Sequence, residues 1–353
     1  MKKLLALILA VVLVLSCAAC ASNTAKTDNP AQPTDAAATE QPADTASNAS
    51  ADDTAAETDT AEAKDITIGL SLYSADISYF VAMQHGVEDY CAEQGYEVIV
   101  HDEKMDETEM VSGCINLLNQ GVDALLVSPF KPEALGPVAT LAAEKKIPFI
   151  ILDIGNGDGA YPYDAFIVSD NVGGGRLAGE YLVNLLNENG EDLSATKTAV
   201  ITIDPSNVAN HSRGTGFAEV MEENGISVES SIYAKEATAD ATYPVATSIL
   251  VANPGIRAIF CSNDEEAVGA SQAATDLGLK DVIIIGFDGQ ETALDALKND
   301  LITASVRQYP SEMGVLGVQL AMKVINGETI DFDDPATKTF YSPLDMLDKS
   351  NME

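Results

Sequence analysis

The chain has 353 residues, 46% of them hydrophobic, and carries 55 acidic against 19 basic side chains for a formal net charge of −36. That length accommodates two domains of ordinary size, and the apolar fraction is that of a globular protein. The charge excludes a nucleic-acid partner, because phosphate binding needs clustered Lys and Arg, and it fits a soluble protein outside the cell.

At the N-terminus, Lys2 and Lys3 precede an uninterrupted apolar run over 4–15. Such a run is too short for a mature membrane helix but suits the core of a signal peptide. Ser16-Cys17-Ala18-Ala19-Cys20 follows. A small residue before Cys at this point resembles the bacterial lipoprotein signal, which implies that the Cys becomes the lipidated first residue. Cys17, after Val14-Leu15-Ser16, fits that pattern better than Cys20; an ordinary secretory signal is the alternative. The reading is a signal region over 1–20 and a lipid anchor on the extracytoplasmic face of the membrane. Residues 21–64 hold no aromatic and no large aliphatic side chain. They cannot bury enough apolar surface to offset their ordering entropy, so they read as a disordered tether with a reach of roughly 35–40 Å.

The folded part is expected from residue 66. Strands are predicted at 66–72, 96–100, 124–127 and 148–152, with helices at 77–94, 105–119 and 132–145. Gly95 and Gly121 stand where the first two helices should stop. The pattern then returns, with strands at 198–203, 227–233, 258–261 and 282–285 and helices at 213–224, 241–252 and 265–277. Short apolar strands alternating with amphipathic helices predict an α/β protein whose parallel sheets are covered on both faces. Cys91, Cys114 and Cys261 sit in apolar contexts and read as small buried hydrophobes. His85, His101 and His211 have no metal-ligand spacing, so no metal site is expected.

The repetition is visible in the residues themselves. GVDALLVSPFKPEALGPVATLAAEKKIPFIILDIG (121–155) and GIRAIFCSNDEEAVGASQAATDLGLKDVIIIGFDG (255–289) share one plan. Each is an apolar run, a polar break, an amphipathic stretch and a second apolar run ending in Asp. Ser128 and Asp153 in one copy answer to Asn263 and Asp288 in the other, both pairs 25 positions apart. In open parallel sheets ligands bind outside the carboxyl ends of the strands. That rule selects loops starting at Tyr73, His101, Ser128, Asp153, Asp204, Cys261 and Gly286, and two similar halves bearing polar groups there predict a ligand clamped between two lobes.

Eight phrases in order carry a family resemblance: SYFVAMQHGVEDYCAEQGYEV (78–98), GVDALLVSP (121–129), IPFIILD (147–153), SDNVGGGRLAGEYL (169–182), RGTGFAEVM (213–221), FCSNDEEAVGA (260–270), IIIGFDG (283–289) and SVRQYPSEMG (305–314). Over 66 to about 341 the chain resembles the type I periplasmic sugar-binding proteins of the ribose-binding kind. The resemblance implies two Rossmann-like lobes joined by a three-segment hinge crossing near Ser169–Asp170, Gln308–Tyr309 and Lys338–Tyr341. It places 66–168 plus 309–340 in the N-terminal lobe and 170–307 plus about 341–353 in the C-terminal lobe. It also implies a monomer that needs no cofactor, binds a sugar or polyol and delivers it to an ABC-transporter permease. The ligand-binding residues it implies are Tyr79, Phe80, Ser128, Asp153, Arg213, Asn263, Asp288 and Gln308. Their chemistry suits a sugar, because carboxylates, amides and a guanidinium pair with hydroxyls while aromatic rings cover C–H faces.

Departures from the ribose pattern bear on specificity. The resemblance implies an Arg after Asp153, where Ile154 stands; an Asn at Ser128; a polar residue at Ile77; and an aromatic near Ala237. These losses point away from ribose toward a pyranose, a polyol or another polyhydroxylated molecule, with Tyr73, Asp76, Phe130, Tyr161, Tyr163, Asn207 and Asn210 available for a different wall. The same fold can instead present ligand to a receptor kinase or chemoreceptor, which is the alternative role. A cytoplasmic repressor would need a basic helix-turn-helix before residue 65, and an enzyme would need a Ser-His or Cys-His arrangement; the sequence offers neither. The glycine run 173–175 lacks the Lys-Ser/Thr of a nucleotide loop.

Overall fold

The computed structural model describes residues 66–155, 161–203 and 207–352. Cys17, Cys20, the expected signal region, the expected tether and the loop start at Asp204 lie outside the described residues. The first half runs β1 (Thr67–Leu72), α1 (Ser78–Gln94), β2 (Glu97–Asp102), α2 (Glu107–Gln120), β3 (Ala124–Ser128), α3 (Gly136–Lys145), β4 (Phe149–Leu152) and β5 (Ala165–Ser169). The second runs α4 (Asn171–Glu188), β6 (Lys197–Thr202), α5 (Val208–Glu223), β7 (Ser227–Tyr233), α6 (Ala239–Ala252), β8 (Ile256–Cys261), α7 (Asp264–Asp276), β9 (Ile283–Asp288), α8 (Glu291–Lys298) and β10 (Ala304–Arg307). Then come α9 (Pro310–Ile325), β11 (Thr339–Ser342) and β12 (Asp345–Asp348).

The strands form two six-stranded sheets, ordered β11-β5-β4-β3-β1-β2 and β12-β10-β9-β8-β6-β7. The orders are equivalent position by position, so the sequence repeat is a repeat of topology. One difference breaks the match: β11 runs parallel to β5, whereas β12 runs antiparallel to β10. In each sheet the strand opening the half pairs on both sides, β1 with β2 and β3, β6 with β7 and β8. That is the switch point at which α/β sheets open a crevice.

Alternating side chains feed opposite faces of each sheet. In β4, Ile150 and Leu152 join the core under α1 and α9, while Phe149 and Ile151 join the core under α2 and α3. In the second sheet, Phe260 and Ile285 pack under α4 and α5, while Ile259 and Ile284 pack under α6, α7 and α8. Burying each such side chain contributes about 1.5–3 kcal/mol, which is why strands apolar on both faces settle between two helical layers. Cys91, Cys114 and Cys261 are free and buried, as their apolar contexts led us to expect.

The chain passes between sheets three times: from β5 into α4, from β10 into α9, and from β11 into β12. The third passage corrects the sequence reading, which crossed near 338–341 and ended the first lobe at 340. Thr339 to Ser342 pair in register with Phe166 to Ser169, so this ladder keeps the chain in the first sheet and the crossing falls at 343–344. Arg307 forks onto Asp345 at 2.9 and 2.6 Å, directly across the β10–β12 pair, and so pins two of the passages together.

Two helices also differ from expectation. The helix predicted at 132–145 is a short 3-10 turn over Pro132–Ala134 followed by α3. The helix predicted to open at Arg213 starts at Val208, because the Asn207 carboxamide accepts the Asn210 N–H at 3.1 Å and caps it.

Candidate ligand-binding site

The carboxyl end of β4 presents Asp153 in a tight turn. Its φ is 63°, and the Ile154 N–H donates to the Leu152 carbonyl two residues back at 2.7 Å. Asp288, the matching residue of the other half, has φ 113°. Each such backbone conformation costs on the order of 1–3 kcal/mol in a residue with a Cβ. Both halves therefore carry strain at the same Asp.

In the first lobe, α1 begins just past β1 and brings Tyr79 and Phe80 to that face. The Tyr79 hydroxyl donates to Asp153 Oδ1 at 2.8 Å. Phe80 stacks on Tyr73 with centroids 5.1 Å apart, Tyr79 meets Phe80 edge-on at 5.2 Å, and Phe130 meets Tyr73 edge-on at 5.3 Å. The four rings form one apolar wall. Ser128 closes β3, fully buried, and its hydroxyl has no hydrogen-bond partner among the described residues.

The second lobe supplies a connected polar set. Arg213 lies inside α5 with its guanidinium 3.9 Å over the Phe287 ring. Its Nη1 donates to Asp288 Oδ1 at 3.0 Å and to the Ser262 carbonyl at 2.8 Å, and its Nε donates to Asn171 Oδ1 at 2.8 Å. Gln308, at the second passage, donates from Nε2 to the same Asp288 oxygen at 2.7 Å and accepts the Ser169 hydroxyl at 2.6 Å. Asn171 closes the ring by donating to the Ser169 carbonyl at 3.1 Å. Two hinge passages and the site are thus one hydrogen-bond network. Asn263 caps α7 through Oδ1, which accepts the Glu266 N–H at 2.8 Å; its Nδ2 is buried with no partner among the described residues. An amide can cap with its oxygen and keep its NH2 for a ligand.

The two sets sense each other across the lobes. Burial pushes the Asp153 carboxyl up, while the Tyr79 hydrogen bond and the Arg213 charge pull it back. Burial likewise raises Asp288, with Arg213 opposing and the charges of Glu265 and Asp153 adding. The Tyr79 phenol stands well above its ordinary value because it is buried beside Asp153, with Asp288 contributing. The Asp153 and Asp288 side chains therefore lie within electrostatic reach of one another. Two surface cavities among the described residues, about 450 Å³ beside Tyr181 and Lys280 and about 400 Å³ beside Arg176 and Leu344, include none of these residues. Convergent polar groups, rather than cavity volume, mark this site.

Seven of the eight residues singled out in the sequence lie at strand ends, helix heads or a hinge passage of the two lobes, and Arg213 lies inside α5. Hydrogen bonds join Tyr79 to Asp153, and Arg213 and Gln308 each to Asp288, while Phe80 joins through ring contact. Ser128 and Asn263 Nδ2 form no such link. Of the alternates, Tyr73 and Phe130 enter the aromatic wall. Tyr161 and Tyr163 instead spend their hydroxyls on the Pro132 and Thr337 carbonyls. Asn207 is a cap, and Asn210 donates to the Ser262 hydroxyl at 3.0 Å. Asn171 and Ser262 were not singled out; only the fold brings them to Arg213.

Two buried glutamates stand behind the site. Glu103 accepts the Ser71 hydroxyl and the Phe130 N–H, both at 2.7 Å, and burial pushes its carboxyl up to about 7. Glu266 accepts the Ser262 N–H and hydroxyl, and burial again raises it to about 7. Both exceed the ordinary carboxyl value of 4.5, so the folded state holds protons that the unfolded chain has released. The stability they contribute is fully present below about 4.5 and is lost as pH rises through about 7. The melting temperature is therefore expected to fall from about pH 5 to about pH 8, and Glu103→Gln is expected to flatten that fall. An unchanged slope in the variant would remove Glu103 as a source.

A family model described as a periplasmic binding protein domain matches residues 68–329. The chain is 30% identical over 287 residues to the ribose import binding protein RbsB of Bacillus subtilis, which covers 81% of this chain and 88% of that protein. It is 31% identical over 280 residues to the ribose import binding protein RbsB of Haemophilus influenzae, covering 79% and 91%. Among solved structures, an ABC transporter periplasmic solute binding protein from Actinobacillus succinogenes with bound D-allose shares the fold at a TM-score of 0.73 and 24% identity, covering 82% of this chain and 99% of that one. With matching lobes, matching sheet orders and a family match over most of its length, the chain belongs to the periplasmic binding protein family.

Proposed function

We propose that the protein captures a sugar or related polyhydroxylated small molecule between its lobes by hinge closure and hands it to an ABC-transporter permease. The observation that carries this reading is the pairing of an aromatic wall and Asp153 on one lobe with Arg213, Asn263 and Asp288 on the other. Tyr79, Phe80, Ser128 and Asp153 would hold one side of the ligand; Arg213, Asn263, Asp288 and Gln308 would hold the other. Hydroxyls that bridge the two sets make contacts available only in the closed form, and this differential affinity shifts the population toward closure. The relatives support the sugar class: two are ribose import binding proteins, and the solved neighbour holds D-allose.

Family membership places the work outside the cytoplasm. The lipid anchor at Cys17, or alternatively Cys20, and the tether over 21–64 belong to the same proposal and rest on the sequence. Release of a Cys17→Ser, Cys20→Ser variant from the membrane fraction is the result expected of an anchor; retention there would remove it.

A thermal-shift screen of the full chain in detergent against pentoses, hexoses, polyols and nucleosides tests the capture reading. A ligand at 100 times its dissociation constant adds about 2.7 kcal/mol. For a protein of this size that is a rise on the order of 5–10 °C. A sugar producing that rise supports the reading, and a flat response from every sugar and polyol contradicts it.

A further inference from the structure

We infer that Asp264, buried at the head of α7, is a positioning residue that holds Asp288 in the geometry the ligand requires. This inference rests on the sugar-capture reading above and adds a residue to the machinery of that site.

Asp288 needs such support. Its φ of 113° is one that a residue with a Cβ rarely adopts, and Gly289 after it stands at 68°. A strained turn of this kind persists only where its neighbours over-determine it. The Asp288 carbonyl accepts the Gln308 N–H at 3.0 Å and Gln290 Nε2 at 2.7 Å. The Gly289 N–H donates to Asp264 Oδ2 at 2.8 Å. The peptide group joining 288 to 289 is thus held at both ends. Asp264 is itself fixed. It is 1% exposed, and its Oδ1 accepts the Ser305 hydroxyl of β10 at 2.6 Å. The same oxygen lies against β9, where a Cβ at Gly286 would come within 2.4 Å of it. One side chain therefore ties the head of α7 to both β9 and β10.

The first half holds its Asp differently. Pro129 stands at the position that matches Asp264. The Ile154 N–H, which matches that of Gly289, turns back onto the Leu152 carbonyl at 2.7 Å. The repeat thus departs from itself at the residue that grips the second turn. Burial pushes the Asp264 carboxyl well up, the Asp288 charge adding and the Ser305 and Gly289 hydrogen bonds opposing. A neutral carboxyl offers an oxygen to one partner and an O–H to the other. A carboxamide can do the same, because the Ser305 hydroxyl either donates or accepts. Asp264→Asn therefore keeps the grip on Gly289, whereas Asp264→Ala leaves that buried N–H without its acceptor.

The test is calorimetric titration of the full chain in detergent with D-ribose, D-allose, D-galactose, D-glucose, myo-inositol and xylitol. The compound that wild type binds most tightly is then titrated into Asp264→Ala, Asp264→Asn, Asp288→Ala and the double variant Asp264→Ala, Asp288→Ala. Asp264→Ala is expected to weaken binding at least about ten-fold and Asp264→Asn to stay within about three-fold of wild type. Once Asp288 is gone, Asp264→Ala is expected to cost no further affinity, because its effect runs through Asp288. Wild-type affinity in Asp264→Ala overturns this inference and leaves sugar capture standing. So does a loss of the same size in the Asp288→Ala background, since a merely structural residue would weaken the site with or without Asp288. Asp264→Asn as weak as Asp264→Ala overturns it too, because the grip is then not the Gly289 bond. If Asp264→Ala does not fold, amide hydrogen exchange in wild type decides: Gly289 is expected to exchange far more slowly than the exposed Gly255, and equal rates overturn the inference. Binding of none of the six compounds by folded wild type overturns the capture reading and this inference together.

Discussion

Replacing Arg213 with alanine is expected to destabilise the protein by about 3 kcal/mol and to abolish ligand binding. The guanidinium is the hub of the second lobe. It holds the Ser262 carbonyl, the Asn171 carboxamide and one oxygen of Asp288 at 2.8–3.0 Å, and it covers the Phe287 ring. Its side chain is 8% exposed and that of Asp288 21%, so the carboxylate left behind would be largely removed from water without its cation. Breaking such a pair from one side is costly because the partner's desolvation is no longer offset. Arg213→Lys is expected to recover only part of the loss, since a single ammonium cannot reproduce the fork that reaches three acceptors. Urea unfolding of the three proteins checks this. A loss below about 1 kcal/mol in the alanine variant would mean that the network contributes little.

Gly175→Ala is expected to cost a further about 3 kcal/mol or more, and to disturb the site without touching any ligand-facing side chain. A Cβ at 175 would lie 1.9 Å from the Arg213 carbonyl oxygen and 2.9 Å from the Phe217 nitrogen. Those are backbone atoms of α5, so relief requires α4 and α5 to separate. The contact is reciprocal: a Cβ at Gly216 would lie 2.0 Å from the Val172 carbonyl oxygen. Alanine is intrinsically the better helix residue by roughly 1 kcal/mol, so the sign of the effect is a direct reading of the packing. Gly136→Ala, where nothing lies within 4 Å of the added atom, is the control and should be neutral or stabilising. Equal melting temperatures for the two variants would contradict close approach of α4 and α5.

These two residues also show where sequence reading reached its limit. Strands with apolar residues on both faces and helices stopped by Gly95 and Gly121, at φ 75° and 86°, were legible because local chemistry decides them. The repeat was legible too, and it surfaces as two identical sheet orders. α4 was not, because Gly173-Gly174-Gly175 opposes helix formation; tertiary packing accounts for the last two, Gly174 against Phe287 and Leu344 and Gly175 against α5. Arg213 appeared to open a helix, whereas the cap at Asn207 places it a turn and a half inside one. Asn263 is both the cap of α7 and a candidate ligand group, and the amide's two ends make the roles compatible. Asn171 and Ser262 carry no spacing signal, since their meeting with Arg213 is made by tertiary packing. The Tyr79 hydroxyl was read only as part of an aromatic; its bond to Asp153 arises from the turn that strains Asp153.

The most direct test of clamping is titration of the best sugar from the thermal screen into wild type, Asp153→Ala and Asp288→Ala. One substitution strips a carboxylate from the first lobe and the other from the second. Clamping predicts affinity at least about ten-fold weaker in both variants, because a charge-assisted hydrogen bond to a buried ligand hydroxyl is lost in each, at about 1.5–3 kcal/mol. Wild-type affinity in either variant would contradict a ligand held between the two lobes by these residues.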